Sequence, residues 1–195
     1  MNIERSFISG NTPGDSLPNE LLVVFGRHAG ADLMLDLAAR LSVNGFLYLL
    51  DCGNRSNMYR VAKTLHTLTN DPVTKLKNIR LSRAFTCYQV TALLEKLVSG
   101  TERAPVLVLD LLTTFMDESV QPAESRMLFD RTLENLLQLS QSMPVVVSAK
   151  PLLSISSSRF GLLEELKSHA FQVWEESVPP VPRSADVQLP LLVDF

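Results

Sequence analysis

The segment from Gly26 to Leu33 has the spacing of a phosphate-binding loop but lacks its charged residues. A working loop reads G-x-x-x-x-G-K-[ST] between a strand and a helix; its Lys contacts the β- and γ-phosphates and its hydroxyl holds Mg²⁺. Counted from Gly26, the second Gly, the Lys and the Ser or Thr are replaced by Ala31, Asp32 and Leu33, although Gly30 stands one place earlier. The segment therefore predicts the backbone of a phosphate loop without the side chains that bind nucleotide.

The same segment leaves two alternatives open. The loop leads into a predicted helix, and a helix N-terminus favours anions, so a weak phosphate or carboxylate site could persist with Arg27 in place of the missing Lys. Alternatively, Asp32 is an acid of the first helical turn that stabilises the helix dipole, and His28 is an exposed loop residue. We favour the structural alternative because a carboxylate at the Lys position repels a triphosphate.

Two aspartates form the second candidate cluster. Asp51 and Asp110 each follow an apolar run that predicts a buried strand, and ligands of open α/β sheets bind at the carboxyl ends of strands. A pair of carboxylates could hold a metal or act as acid and base. No His or third carboxylate has suitable spacing to complete such a site, so we predict no metal site. The alternative is that these carboxylates cap the following loops or pair with Lys150.

Composition indicates one globular domain. The chain has 195 residues, of which 46% are hydrophobic and 20% are charged. No apolar run approaches the roughly 18 residues of a membrane span, and residues 1–16 lack the pattern of a signal peptide. Cys52 and Cys87 show no metal-binding spacing. We therefore expect a cytoplasmic protein with reduced thiols and no membrane partner.

Charge is distributed unevenly along the chain. The net charge is −3, but residues 52–94 hold seven basic residues and one acid, a net of +6, so the remaining chain carries −9. Such asymmetry indicates an anionic or acidic partner, or else a solvated face. The anion- or DNA-binding candidates are Arg55, Arg60, Lys63, Lys75, Lys77, Arg80, Arg83 and, in the loop 151–161, Arg159.

Short apolar strands alternate with amphipathic helices along the chain. This alternation predicts an α/β fold with a mostly parallel central sheet that helices cover on both faces. The predicted strands are 21–25, 46–50, 78–83, 106–112, 144–149 and 170–175, and the predicted helices are 31–43, 57–69, 86–98, 124–142 and 159–169. We expect an irregular lead-in over 1–19, a core domain over 20–178, and a Pro-rich tail with an apolar end over 179–195.

Across about residues 20–176, the order of elements and several local strings resemble the ATPase core of the RecA/RadA recombinase superfamily. The matching strings are GRHAGADL at 26–33, LYLLD at 47–51, LSRAFTCYQVTALLEKL at 81–97, VLVLDLL at 106–112 and VVVSAK at 145–150. The string at 81–97 is similar to the arginine–aromatic–x–x–x–x–glutamine stretch of archaeal recombinases. The resemblance implies a three-layer RecA-like P-loop NTPase fold, with the strand 106–112 next to the strand 21–25.

The resemblance also implies roles for individual residues. Asp110 matches the Walker B aspartate, which orients Mg²⁺ through water in the family. The family's general-base Glu lies two residues after the aspartate at position 51, where this chain has Gly53. Lys150 falls near the polar sensor position. Because the P-loop Lys, the hydroxyl and the base are all replaced, we predict no catalytic residue.

The expected function follows from the resemblance to this family together with the degenerate ATP site of this chain. We predict a non-catalytic accessory or scaffold protein of DNA recombination or repair, without a cofactor. Its partner would be a RecA/RadA-type recombinase or a second copy of itself, and DNA is a further candidate. The alternative is a phosphate sensor or ATPase that uses ATP and Mg²⁺ weakly through a modified loop, with Arg27, Lys150 and Asp110 as binding residues. An unrelated doubly wound α/β protein is a third interpretation, because a fold does not fix a function.

Overall fold

Six parallel strands form one sheet at the centre of the protein. The computed structural model describes residues 17–26, 28–151 and 161–176. Leu21–Leu22–Val23–Val24 and Val106–Leu107–Val108–Leu109 are buried on both faces, as is typical of strands in a parallel sheet. The predicted α/β class with a parallel sheet is confirmed.

The elements follow one another in strict βα alternation apart from two short helices. The strands are β1 (Leu21–Phe25), β2 (Leu47–Asp51), β3 (Ile79–Arg83), β4 (Val106–Leu109), β5 (Val145–Ala149) and β6 (Gln172–Glu175). The helices are α1 (Ala31–Asn44), α2 (Met58–Leu68), α3 (Pro72–Leu76), α4 (Cys87–Ser99), α5 (Pro122–Ser140) and α6 (Leu162–Ser168), with a 3₁₀ helix over Leu111–Met116.

The strand order is β3-β2-β4-β5-β1-β6, and every neighbouring pair is parallel. The expectation that the strand starting at Val106 lies next to the first strand is wrong. β5 lies between them, because Val145–Val147 pairs with Leu21–Val23 of β1 on one side and with Val106–Val108 of β4 on the other. β4 is still flanked on both sides by parallel strands.

Helices cover both faces of the sheet. Leu21 and Val23 point to the face packed by α4, α5 and α6, whereas Leu22 and Val24 point to the face packed by α1 and α2. Each face forms its own apolar cluster because successive side chains of a strand alternate between faces. The sheet is therefore shielded from water at its centre, and its polar groups collect at the strand ends.

Two predicted elements differ from the structure. The predicted strand 106–112 is wrong after Leu109, because Asp110 adopts a left-handed conformation (φ 54°) and the chain enters the 3₁₀ helix. Leu111 and Leu112 are buried there, which gave them the apolar pattern of a strand. The helix α3 was not predicted, although the Asp71 side chain caps it by accepting from the Thr74 N–H at 3.2 Å and Pro72 opens it.

Some predictions fall outside the described residues. These are the candidate residues Arg27 and Arg159, nearly all of the lead-in 1–19, most of the loop 151–161, and the tail 179–195. They stay predictions.

Phe115 and Phe129 are the largest fully buried side chains among the described residues. They allow a prediction of how much stability a cavity beneath α5 would cost. Phe115 and Phe129 meet edge to face with ring centroids 5.7 Å apart. We expect Phe129→Ala to lower the free energy of unfolding by about 3–5 kcal/mol, because it leaves a cavity. Met127→Ala on the same helix is the control; with 61% of the residue exposed, it should change stability by less than about 0.5 kcal/mol. Urea unfolding measures both, and equal losses would contradict this packing.

Candidate functional site

The two aspartates of the sequence come together at the carboxyl edge of the sheet. Asp51 ends β2 and Asp110 directly follows β4, and these strands are parallel neighbours. The Cys52 N–H donates to the Leu109 carbonyl at 2.9 Å, which extends the ladder to the end of both strands. Both carboxylates are buried, with side-chain exposures of 0% and 1%. Such groups need internal partners, since unpaired buried charges are very costly.

Asp51 is a structural acceptor for the loop that follows β2. Its Oδ1 accepts the Arg55 N–H at 2.8 Å, and its Oδ2 accepts the Ser56 N–H at 3.0 Å and the Ser56 hydroxyl at 2.5 Å. The Arg83 guanidinium at the end of β3 lies 3.6 Å from the same Oδ2. Asp51 therefore caps the loop before α2, as one of the two sequence-based alternatives proposed.

Asp110 is held by two cations of the same chain. Its Oδ2 lies 3.1 Å from the Arg55 Nε and 3.0 Å from the Lys150 Nζ. Its backbone N–H donates to the Ser148 hydroxyl at 3.0 Å, while its Oδ1 has no hydrogen-bond partner among the described residues. The pairing with Lys150 that the sequence left open is present. Arg55 is a second partner, which the sequence indicated only as part of a basic segment.

Gly53 occupies the position at which the family resemblance expects the general base. A Cβ built on Gly53 would lie 2.5 Å from the Cβ and from the Oδ2 of Asp110, far inside van der Waals contact. The space for a side chain at position 53 is thus taken by the Asp110 side chain. The present backbone therefore has no room for a carboxylate side chain at position 53.

Cys52 directly follows Asp51 and is buried. Burial, followed by the charges of Asp51 and Asp110, raises the pKa of the Cys52 thiol far above its usual range. Burial also raises the pKa of Cys87. Both thiols stay neutral at physiological pH, and neither belongs to a disulfide.

The residues that precede α1 include two with a left-handed backbone. Ala29 and Gly30 both have φ of 54°, and a Cβ at Gly30 would collide with Val24. Gly30 is the N-cap of α1 and has no side chain to accept the orphan N–H groups of the first turn. A distant carboxylate binds the backbone just before the helix: Glu176 Oε2 accepts the N–H of His28 at 3.2 Å and that of Gly30 at 3.4 Å.

Asp32 and Leu33, at the positions where the resemblance expects a Lys and a hydroxyl, make contacts with other parts of the fold. Asp32 lies in the first turn of α1, is largely exposed, and pairs with Arg60 of α2 at 3.2 Å. Arg60 also pairs with Asp36 at 2.9 Å, one turn further along α1. Leu33 packs against the apolar cluster between α1 and the sheet. Position 32 therefore links α1 to α2, and position 33 is a partly buried residue at the margin of the core.

Most of the basic candidates in residues 52–94 are engaged within the chain. Arg55, Arg60, Arg80 and Arg83 pair with carboxylates, and the Lys75 Nζ donates to the Val43 carbonyl at 2.8 Å. Lys63 and Lys77 are exposed, and their side chains face solvent. The positive charge that this segment offers to an anionic partner is thus smaller than its composition indicates.

A cavity of about 550 Å³ lies beside the edge strand β3. Leu50, Leu93 and Leu97 provide apolar surface, and Arg80 stands on the rim, stacked on the Phe46 ring at 4.2 Å. A hydrogen bond from Arg80 lowers the pKa of Glu102 on the same rim, so the pair stays charged at neutral pH. The sequence did not indicate this cavity, because its walls come from β2, β3 and the end of α4.

Glu176 and Ser148 are the site residues that the sequence interpretation missed. Ser148 was assigned no role, and its hydroxyl proves to accept the Asp110 N–H. Glu176 follows the predicted last strand as one of several acids, and 146 residues separate it from Gly30. No local pattern indicates such a contact, which depends on the pairing of β6 with β1.

Comparison with known proteins does not assign a family. No protein-family model matches the chain, and no curated protein is a significant match. Within residues 17–26, 28–151 and 161–176, no helix is long and apolar enough to cross a membrane. In the same part of the chain, no group of three or more His, Cys, Asp or Glu side chains is placed to hold a metal ion.

The buried Asp51 and the exposed Asp32 give a matched test of the hydrogen bonds that Asp51 accepts. Asp51→Asn removes a charge that accepts three hydrogen bonds, so we expect the free energy of unfolding to fall by about 2–4 kcal/mol. Asp32→Asn changes an exposed ion pair and should cost less than about 1 kcal/mol. Chemical denaturation at neutral pH compares the two variants. Losses that agree within about 0.5 kcal/mol would show that Asp51 is not the structural acceptor described.

Proposed function

We propose that this chain is a non-catalytic RecA/RadA-like scaffold or accessory protein that binds a protein partner in DNA recombination or repair. The observation that carries the non-catalytic part is the position of Asp110 between Arg55 and Lys150. In the family that the sequence resembles, the matching aspartate orients Mg²⁺. Here two cations of the chain neutralise it, and a metal ion brought to Oδ2 would meet their repulsion.

The residues present do not fit ATP and Mg²⁺. Phosphoryl transfer depends on positioning and on neutralisation of phosphate charge. The Lys position holds Asp32, the hydroxyl position holds Leu33 in the apolar cluster, and the base position is a glycine packed on Asp110. The loop N–H groups already bind the Glu176 carboxylate. These four features together support a protein that has kept the fold and lost the hydrolytic site.

Thermal unfolding with nucleotide tests this proposal directly. A ligand present at 100 times its Kd stabilises a protein by about 2.7 kcal/mol, which raises Tm by several degrees. We expect no rise in Tm with millimolar ATP and Mg²⁺ relative to the same ionic strength of NaCl and MgCl₂. A clear rise, or hydrolysis of ATP by the purified chain, would support the alternative of a nucleotide sensor or ATPase.

The edge strand β3 and its cavity support the protein-binding part of the proposal. Among the described residues β3 pairs with β2 alone, so one edge of the strand keeps unpaired backbone groups. An extended segment of a partner could add to this edge and place an apolar side chain between Leu93 and Leu97. We propose that the partner is a RecA/RadA-type recombinase or a second copy of this chain.

A substitution on β3 tests this surface. Ser82 is exposed on β3 and lines the cavity, so Ser82→Arg should obstruct an incoming segment. We expect association with a purified recombinase, or self-association, to weaken at least about tenfold, which is 1.4 kcal/mol. Ser119→Arg, at an exposed serine in a loop after the 3₁₀ helix, is the control for added charge and size. Analytical ultracentrifugation measures the association of both variants. If Ser82→Arg associates as tightly as wild type, β3 is not part of the interface.

Binding of DNA and a cytoplasmic location remain predictions. The exposed lysines Lys63 and Lys77 are the candidates of the basic segment that show no internal pairing in the described contacts, so any DNA contact of this segment would rely chiefly on them. Two lysines provide a small electrostatic contribution, because affinity for DNA grows with the number of phosphates neutralised.

A further inference from the structure

Two apolar side chains at β6 are exposed on one face of the sheet. Phe171 is 66% exposed and Val173 is 36% exposed. Val173 is in register with Val23, whose side chain points to the face packed by α4, α5 and α6. The Phe171 N–H donates to the Leu21 carbonyl at 2.8 Å, which extends the ladder by one residue, so the Phe171 side chain shares the face of Val173. We call Phe171 and Val173 together the β6 strip.

The helices of that face stop short of the β6 strip. α6 packs on the sheet through three buried leucines, Leu162, Leu163 and Leu166. Among the described residues, β6 forms its ladder with β1 alone and therefore ends the sheet. A strand in this position can take up a further extended segment, and covering the apolar strip is favourable because it removes the strip from water.

The chain carries a suitable segment shortly after β6. Residues 177–195 continue the sequence beyond Glu176, and within 191–195 every second position is apolar, at Leu191, Val193 and Phe195. Asp194 stands between two of these residues. Such alternation is typical of a strand with one buried face, and Pro190 stands where a strand begins, a position that tolerates proline.

The connection is long enough to bring this segment back to β6. β6 has four residues, which makes it about 13 Å long. The fourteen residues 177–190 can span up to roughly 46 Å, so the segment can lie along β6 in either direction. A segment tethered in this way has an effective concentration on the order of millimolar, which favours it over a second copy of the chain.

We propose that residues 191–195 lie along β6 and cover the β6 strip with their alternate apolar side chains. This inference goes beyond the proposed function and does not rest on it. The sheet is then closed at β6 by a segment of the same chain, which leaves β3 as the end of the sheet where a partner segment can add.

The fluorescence of Trp174, the single tryptophan, tests this contact in the full chain. Trp174 packs against the cluster on the face opposite to Val173, and position 194 of the added segment would share the face of Trp174. A nitroxide quenches tryptophan only at short range. We expect a nitroxide attached at Asp194→Cys to remove most of the Trp174 fluorescence of the unlabelled variant.

The labelling is selective because the two native thiols, Cys52 and Cys87, are buried. A nitroxide at Ser119→Cys, in the exposed loop after the 3₁₀ helix, is the control for the label itself. It should leave the fluorescence of Trp174 unchanged.

Substitutions in the β6 strip give the second arm of the test. Phe171→Glu, added to the labelled Asp194→Cys protein, should restore the fluorescence, because a buried unpaired charge would oppose the apolar contact. Gln172→Glu places the same charge on the opposite face of β6, is the matched control and should keep the quenching. Leu191→Asp with Val193→Asp should act as Phe171→Glu does, and this pair serves if Phe171→Glu does not fold.

The expected result is quenching that does not depend on protein concentration, is lost in Phe171→Glu and is kept in Gln172→Glu. No quenching from position 194 would overturn the inference, and so would quenching that persists in Phe171→Glu or in the Leu191→Asp, Val193→Asp variant. Quenching that increases with protein concentration would show that a second copy lies on β6, which also overturns it. The proposed function is tested separately, by nucleotide and by the β3 variants.

Discussion

A buried carboxylate at the end of a parallel strand must find its counter-charge within the protein, and Asp110 meets this requirement through Arg55 and Lys150. Arg55 comes from the loop after β2 and Lys150 from the end of β5, so one side chain joins the segments that flank β4 on both sides. Breaking such a pair strands a charge in a low-dielectric environment, which is far more costly than never burying it. The geometry of the carboxyl edge therefore depends on the ion pairs of Asp110. The loop after β2 is held a second time by its hydrogen bonds to Asp51.

The same constraint links residues that lie far apart in the sequence. Gly53 leaves space for the Asp110 side chain, and Asp110 in turn positions Arg55, whose N–H is bound by Asp51. A larger residue at position 53 would displace Asp110 from its cations. The glycine at position 53 and the pairing of Asp110 with Lys150 are thus two aspects of one packing arrangement.

The sequence predicts much of this edge because a parallel sheet fixes where strand ends meet. Asp51 and Asp110 were expected together, and the contact between Asp110 and Lys150 was one of the stated alternatives. The partners of the basic residues could not be predicted, because they depend on the order of the strands and on how far each side chain extends. Arg55, Arg80 and Arg83 counted as free positive charge until their partners from other elements were known. Asp110 ends β4 early because its left-handed backbone turns the apolar residues that follow into a 3₁₀ helix, a change that hydrophobicity alone does not record.

The loop before α1 and the carboxyl edge of the sheet are each balanced by internal charges, of opposite sign at the two places. The Glu176 carboxylate accepts the N–H groups of His28 and Gly30 before α1, and Arg55 and Lys150 pair with Asp110 at the carboxyl edge. The helix dipole of α1 and the buried charge of Asp110 are thus both balanced by groups of the same chain. A lysine at position 32 would leave the Glu176 carboxylate beside the loop and the two cations on Asp110.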